Sequence, residues 1–501
     1  MSDENANEED RCICEYIKKR NRLVHLSKNF GIGSQIKLTE RESVVNDYLM
    51  KYKNEEMDKG FGRPDRFLPA NHFFTSRAKI EKSKVFQFLR AMPKGASLHS
   101  HDLGMVSADY LYSLTFKENL YALVKDEELF LQFFKKKKVP KDQEWILVSE
   151  LRENDPEFED FLKSKLTLIC ENPDVAYPDV DTVWKSFQKL FINLEKLITY
   201  KPVFQEYFYQ VLKEAYEENV KYLEFRGFLP NVYDIDGKTY RNADVVCLYW
   251  ETLTQFLCEH VDFVGCKFIF APHRLVGSEV MDEYVCIYKC IKEKFPRFVL
   301  GFDLVGQEDL GAPLINFIRQ FLDLKESGCK FFFHAGETHW NGQPTDYNIF
   351  DAILLGSVRI GHAFALLKHP LAANLVKERG IGIEISPISN QVLKLIDDVR
   401  DHPAALMIAN NYPVVIVNDD PSFWGGKGIT YDWYVTFMGM CHRDADIRLL
   451  KQLALNSIQY SGLDDDEKDI AFAQFNCDWN KFLTRVLKGC ECSSANKDCG
   501  K

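Results

Sequence analysis

The chain contains no apolar run long enough to cross a bilayer; its strand-like stretches are broken by charge within a few residues, so a helical membrane protein is not expected. A secretory leader is also not apparent, because MSDENANEEDRCICEYIKKR is acidic and polar where a leader has a basic start and an apolar stretch. No Asn-x-Ser/Thr sequon occurs, and together these absences give the expectation of a cytoplasmic protein. A basic balance is missing too. With a formal net charge of −11 the chain offers no phosphate-tracking face, so nucleic acid is not an expected partner and a small neutral or cationic ligand fits better. No C-x-x-C pair occurs although there are 14 cysteines, which are scattered widely; many sit in apolar segments (Cys247, Cys258, Cys266, Cys286, Cys290, Cys329), which suits buried thiols in a reducing compartment.

What is present is an ordinary globular composition over 501 residues, 46% hydrophobic and 27% charged, enough for a large core. Residues 1 to about 85 read as a polar leader followed by helices, with Ser43 to Glu56 amphipathic enough to pack on something. From 86 to about 465, short β-branched or aromatic runs alternate with longer helical stretches, the pattern of repeated βα units on a parallel sheet. Eight such runs are found: Ser97 to His101, Tyr222 to Arg226, Lys267 to Ala271, Phe298 to Leu304, Lys330 to His334, Val358 to His362, Ile381 to Ser386 and Pro413 to Asp419. Eight closes a (β/α)₈ barrel, and an α/β barrel of the metal-dependent hydrolase type is the expected fold.

The long gap between the first two runs predicts an inserted subdomain at about 108–200. Its run Lys135 to Lys138 suits a solvated loop better than an anion patch. Residues 466–501 read as a helix and a polar tail, whose Cys490, Cys492 and Cys499 lack the partners of a zinc knuckle.

A polar residue stands at or just past the C-terminal end of every run, where a barrel collects its chemistry. In SLHSHDLG, His99 and His101 are two apart, which places both on one face of a strand. With His334 of FFFHAGET and Asp419 of PVVIVNDDP they make three imidazoles and a carboxylate, a donor set that suits one zinc ion with a position left for water. Glu337, three residues past His334, is placed for acid/base work without being a ligand, and His362 of RIGH is the candidate to orient or deprotonate the water.

The segments MPKGASLHSHDLG, GFDLVGQED, FFFHAGET, RIGHA, EISPISNQVL and NDDPSFWG resemble those of the adenosine deaminase family, and the set most closely resembles its growth-factor branch. The resemblance implies zinc on His99, His101, His334 and Asp419, a proton from Glu337 to purine N1, and His362 positioning the attacking oxygen. It further implies Asp420 at N7, the Gly306 backbone N–H at N3, and Asp102, Trp184, His273 and Glu224 lining the nucleoside pocket. The substrates implied are adenosine and 2′-deoxyadenosine, and pairing through the N-terminal helices implies a homodimer. Members of the branch are typically secreted, with a leader, sequons and a disulfide in the insert, whereas this insert holds only Cys170. A phosphorylated or N6-substituted purine such as AMP is the alternative substrate, although Arg226, Arg274 and Lys427 form no clear phosphate cluster. A signalling protein that merely keeps the fold would be expected to have lost a member of the set, and none is missing. A cytidine-type zinc deaminase is excluded, because neither H-x-E nor P-C-x-x-C occurs.

Overall fold

The computed structural model describes residues 2–498, with side chains between 10 and 489. Each of the eight expected runs carries a strand of one curled parallel sheet: β1 (Gly95–Ser97), β2 (Val220–Gly227), β3 (Gly265–Phe270), β4 (Val299–Phe302), β5 (Lys330–Phe331, resumed at His334–Ala335), β6 (Arg359–His362), β7 (Gly382–Ile385) and β8 (Val414–Ile416). Neighbours pair in chain order, with Tyr222 beside Gly265, Lys330 beside Gly301, His334 beside Gly361 and Ile383 beside Val414. The ring closes where Ser100 bridges Asp419 and the Asp419 N–H donates to the His99 carbonyl at 3.2 Å. This is a (β/α)₈ barrel.

Two details depart from the expected strand limits. β1 ends at Ser97, so His99 and His101 lie just beyond it, where the bridges of Ser100 to Asp419 and His101 to Arg226 continue the pairing. β5 is interrupted at Phe332 and Phe333, which restarts the pairing at His334. Both irregularities fall where the polar residues converge.

Helices cover the outside, and their ends carry the expected signals. The helix Pro370–Arg379 begins on a proline and stops at Gly380, whose φ of 64° closes the last turn in the left-handed region. The helix Glu40–Gly62 starts at a capping box formed by Thr39 and Glu42. It packs on the C-terminal helix Asp465–Asp498, where the Trp479 indole N–H donates to Glu42 at 2.9 Å.

Between β1 and β2 the chain builds an antiparallel sheet of Leu120–Lys125, Glu128–Phe133 and Ile146–Leu147 and then the helix Val180–Ile198, capped by Asp179. The apolar stripe Val183, Trp184, Phe187, Leu190, Leu194 of that helix faces inward at helical spacing. In the lysine run, Lys135 and Lys138 both reach Asp236.

Among the described residues no helix is long and apolar enough to cross a membrane. The eleven cysteines whose side chains are described are all unpaired; of the six expected to be buried, Cys266 and Cys329 are, whereas Cys247 is half-buried and Cys258, Cys286 and Cys290 are exposed, because they lie on outer helices rather than on strands. Cys490, Cys492 and Cys499 lie outside those side chains.

Candidate active site

At the C-terminal mouth of the barrel, His99, His101, His334 and Asp419 each offer one ligand atom, all within 4.8 Å of one another. The Nε2 atoms of His99 and His101 approach to 3.2 Å, and Asp419 Oδ1 stands 3.4 and 3.1 Å from them. Buried carboxylates orient two of the rings from behind: Glu384 accepts from His99 Nδ1 at 2.7 Å, and Asp303 accepts from His334 Nδ1 at 2.7 Å. With Nδ1–H so engaged, each ring turns the Nε2 lone pair into the cluster. Converging lone pairs beside a carboxylate repel one another unless a cation lies among them, so the donor set fits a divalent metal.

The carboxylates are themselves held by arginines inside the barrel. Arg226 donates to Asp303 at 2.7 Å and to Glu384 at 2.8 Å; Arg359 donates to Glu384 and to Glu224, both at 2.6 Å. Burial alone would raise the Glu384 carboxyl, but Arg226 and Arg359 hold it well below its usual range.

In the sequence Asp303 is marked only as a polar strand end, and spacing gives Glu384 of EISPISNQVL no role. The available signal was a carboxylate inside the apolar run of β7, where an unpaired charge would be prohibitively costly.

Glu337 is buried beside the cluster, and its Oε1 lies 3.6 Å from His362 Nε2. Burial, then the nearby carboxylates of Asp419 and Glu308, push its carboxyl well above the usual range. Its loop is pinned by Glu308, which accepts from the backbone N–H groups of Gly336 at 3.0 Å and Glu337 at 2.6 Å. Glu308 lies in the GFDLVGQED segment, but sequence spacing gave it no role.

His362 and Asp419 have φ values of 60° and 56°, left-handed conformations that cost a non-glycine residue energy and here aim both side chains at one point.

The cluster opens into a cavity of about 450 Å³ lined by Asp102, Trp184, His273, Gly306 and Asp420 among others. Phe187 and Phe191, from the same insert helix as Trp184, complete an aromatic wall. Asp420 Oδ1 is buried without a hydrogen-bond partner, and burial, then Asp419, raise its carboxyl. Gly104 permits that placement, since a Cβ there would stand 2.1 Å from Asp420 Oδ1. Gly306 has φ 109° and a Cβ there would meet the His273 ring at 2.7 Å, so only glycine lets the backbone pass. Tyr249 donates to Asp102 at 3.2 Å, and burial still brings the Asp102 carboxyl up to about 7.

Glu224 departs from expectation: it does not line this cavity. Its Oε2 accepts from Arg359 and its Oε1 from the Gly462 N–H at 2.6 Å. It faces the barrel interior one layer below Arg226, because alternate residues of β2 point to the same side at successive depths.

The family model described as adenosine deaminase matches residues 171–473, and the one described as adenosine/AMP deaminase N-terminal matches residues 2–89. The chain belongs to the adenosine deaminase family. It is 44% identical over 462 residues to the adenosine deaminase of Phlebotomus duboscqi, covering 91% of this chain and 89% of that one. It is 39% identical over 477 residues to human adenosine deaminase 2, covering 93% of each. Among solved structures, an amidohydrolase from Burkholderia ambifaria with bound zinc matches with a TM-score of 0.58 at 21% identity, over 81% of this chain and 95% of that one. That likeness establishes the shared fold. As a member of this family the chain is a hydrolase acting on a C–N bond.

Proposed function

We propose that the chain hydrolyses adenosine and 2′-deoxyadenosine to inosine and 2′-deoxyinosine, consuming one water and releasing ammonia. The observation that carries the reading is a set of oriented metal-binding side chains with a raised carboxyl on one side and an unpartnered carboxyl oxygen on the other. His99, His101, His334 and Asp419 would hold one zinc ion, whose chemistry when bound is to lower the pKa of water from about 15.7 toward about 7.

The chain's own residues do the rest. Glu337, kept protonated by burial, donates to purine N1 and makes C6 electrophilic. Asp420, likewise raised, donates to N7, and the Gly306 backbone meets N3. Asp102 and His273 face the sugar, which Trp184 and Phe187 cover against water. His362 Nε2, 3.6 Å from both Glu337 and Asp419, orients or deprotonates the attacking oxygen. The cavity lining includes no Lys or Arg among the described residues, which favours a nucleoside over a phosphorylated purine.

Purified protein given adenosine, 2′-deoxyadenosine and AMP should remove the adenine ultraviolet absorbance of the two nucleosides only. Chelation should abolish turnover and added zinc should restore it. Turnover of AMP alone would move the assignment to nucleotides, and no turnover at full zinc occupancy would refute it.

We further propose that the chain pairs with a second copy through the helix Ser2–Lys28, on which Ile13, Tyr16, Ile17, Leu23 and Val24 are exposed together. Sedimentation at micromolar concentration should give a dimer; a single monomeric species would rule out the pairing.

A further inference from the structure

Behind His362, on the side away from the metal-binding cluster, lies a buried chain of hydrogen bonds that the proposed reaction leaves unused. It begins at His402, in the turn between the short helices Val399–Asp401 and Ala404–Ala409. His402 Nδ1 lies 2.9 Å from the backbone N–H of Ala404. A backbone N–H can only donate, so this nitrogen accepts and carries no proton. The ring is fully enclosed, edge-on to Phe364 with centroids 5.4 Å apart, and burial pushes its pKa down to about 3. The ring proton therefore sits on Nε2.

Nε2 stands 2.9 Å from Asn390 Oδ1 and donates to it. That contact decides which way round the Asn390 amide lies. Its backbone is fixed as well, with the carbonyl accepting from Leu395 at 2.8 Å and the N–H donating to Ser386 at 3.0 Å. The amide Nδ2 is thereby left facing His362 Nδ1 at 3.1 Å, and being an NH₂ group it can only donate. Any form of His362 with a proton on Nδ1 would put two N–H groups head to head at that distance.

We infer that Asn390 and His402 are positioning residues that lock His362 as its Nε2–H tautomer, so that the ring presents a hydrogen-bond donor to the reacting oxygen. Nε2 points between Glu337 Oε1 and Asp419 Oδ2, 3.6 Å from each, the space that oxygen enters. Of the two roles open to His362, the lock selects orientation. The identity of that oxygen rests on the deaminase reading; the tautomer does not.

The test uses zinc-loaded enzyme labelled with ¹⁵N-histidine and a two-bond ¹H–¹⁵N correlation spectrum, with His362 assigned by the signal lost in His362→Gln. His362 Nδ1 should resonate as the bare, pyridine-type nitrogen. Asn390→Asp replaces a donor with an acceptor and should move the proton to Nδ1, lowering kcat by about 10²-fold or more while KM changes little. His402→Gln keeps a donor at the same place and should retain the wild-type signal and rate, whereas His402→Leu should lose both. A protonated Nδ1 in the wild-type enzyme would overturn the lock, as would an Asn390→Asp enzyme with unchanged tautomer and kcat. An inert wild-type enzyme that still shows the bare Nδ1 would refute the deaminase reading and leave the lock standing.

Discussion

Glu337→Gln should lower kcat for adenosine by about 10²–10⁴-fold, the usual contribution of a positioned proton donor, while zinc content stays at that of the unmutated chain. The two halves of this expectation have different causes. Glutamine keeps the shape of the side chain and the backbone bond to Glu308, so the loop Gly336–Glu337 stays in place. Zinc content should be spared because Glu337 is outside the four residues proposed to hold the ion. An amide, however, cannot give up a proton to a ring nitrogen at any useful rate.

The pH dependence follows from the direction of the shift. Burial and the carboxylates of Asp419 and Glu308 raise the Glu337 pKa, so the acid form persists above the ordinary carboxylate range. Activity should therefore fall as pH rises through that raised value, and Glu337→Gln should abolish that limb of the profile. Wild-type turnover by the Gln variant, followed by ultraviolet absorbance, would remove Glu337 from the mechanism.

Arg226→Met should destabilise the folded chain by about 3–5 kcal/mol, measured as a shift in the denaturant midpoint at constant slope. Arg226 is wholly buried and donates to Asp303, to Glu384 and to the carbonyls of Leu98 and Phe332. Removing it leaves two buried carboxylates short of a counter-charge, and the cost comes from those stranded groups rather than from the lost attraction. Arg359 still reaches Glu384, but Asp303 then has only the His334 ring and backbone donors.

The same variant should weaken zinc binding by about 10–100-fold, because Asp303 and Glu384 hold the Nδ1 atoms of His334 and His99. Competition with a chromogenic chelator measures that loss separately from stability. An Arg226→Met chain that is as stable and binds zinc as tightly as wild type would show that the arginine layer does not support the site.

Much of the architecture was legible in the residue order. Eight apolar runs separated by helical stretches become eight barrel strands because a parallel strand buried on both faces must be apolar through most of its length. His99, His101, His334, Glu337, His362 and Asp419 were identifiable because each ends such a run or follows closely on it, and a barrel brings those ends together whatever lies between them. Glu224, which the family resemblance implies in the nucleoside pocket, lies deeper instead, against Arg359 and Gly462. Period-2 alternation tells which face of β2 a side chain takes, but not the depth at which it sits in the barrel.

The sequence by itself determined the order of the barrel strands, the family and the residue types available for one metal site. Local periodicity and short motifs survive in one dimension. Tertiary structure alone decided which partner each buried polar group would have. It paired Arg226 with Asp303 and Glu384, set Trp184 and Phe187 of the insert over the barrel mouth, and joined His402 to His362 through Asn390. Those partners lie tens to hundreds of residues apart, and no local pattern encodes them. They are selected when the closed barrel excludes water and each enclosed donor or acceptor must find its match within hydrogen-bond reach.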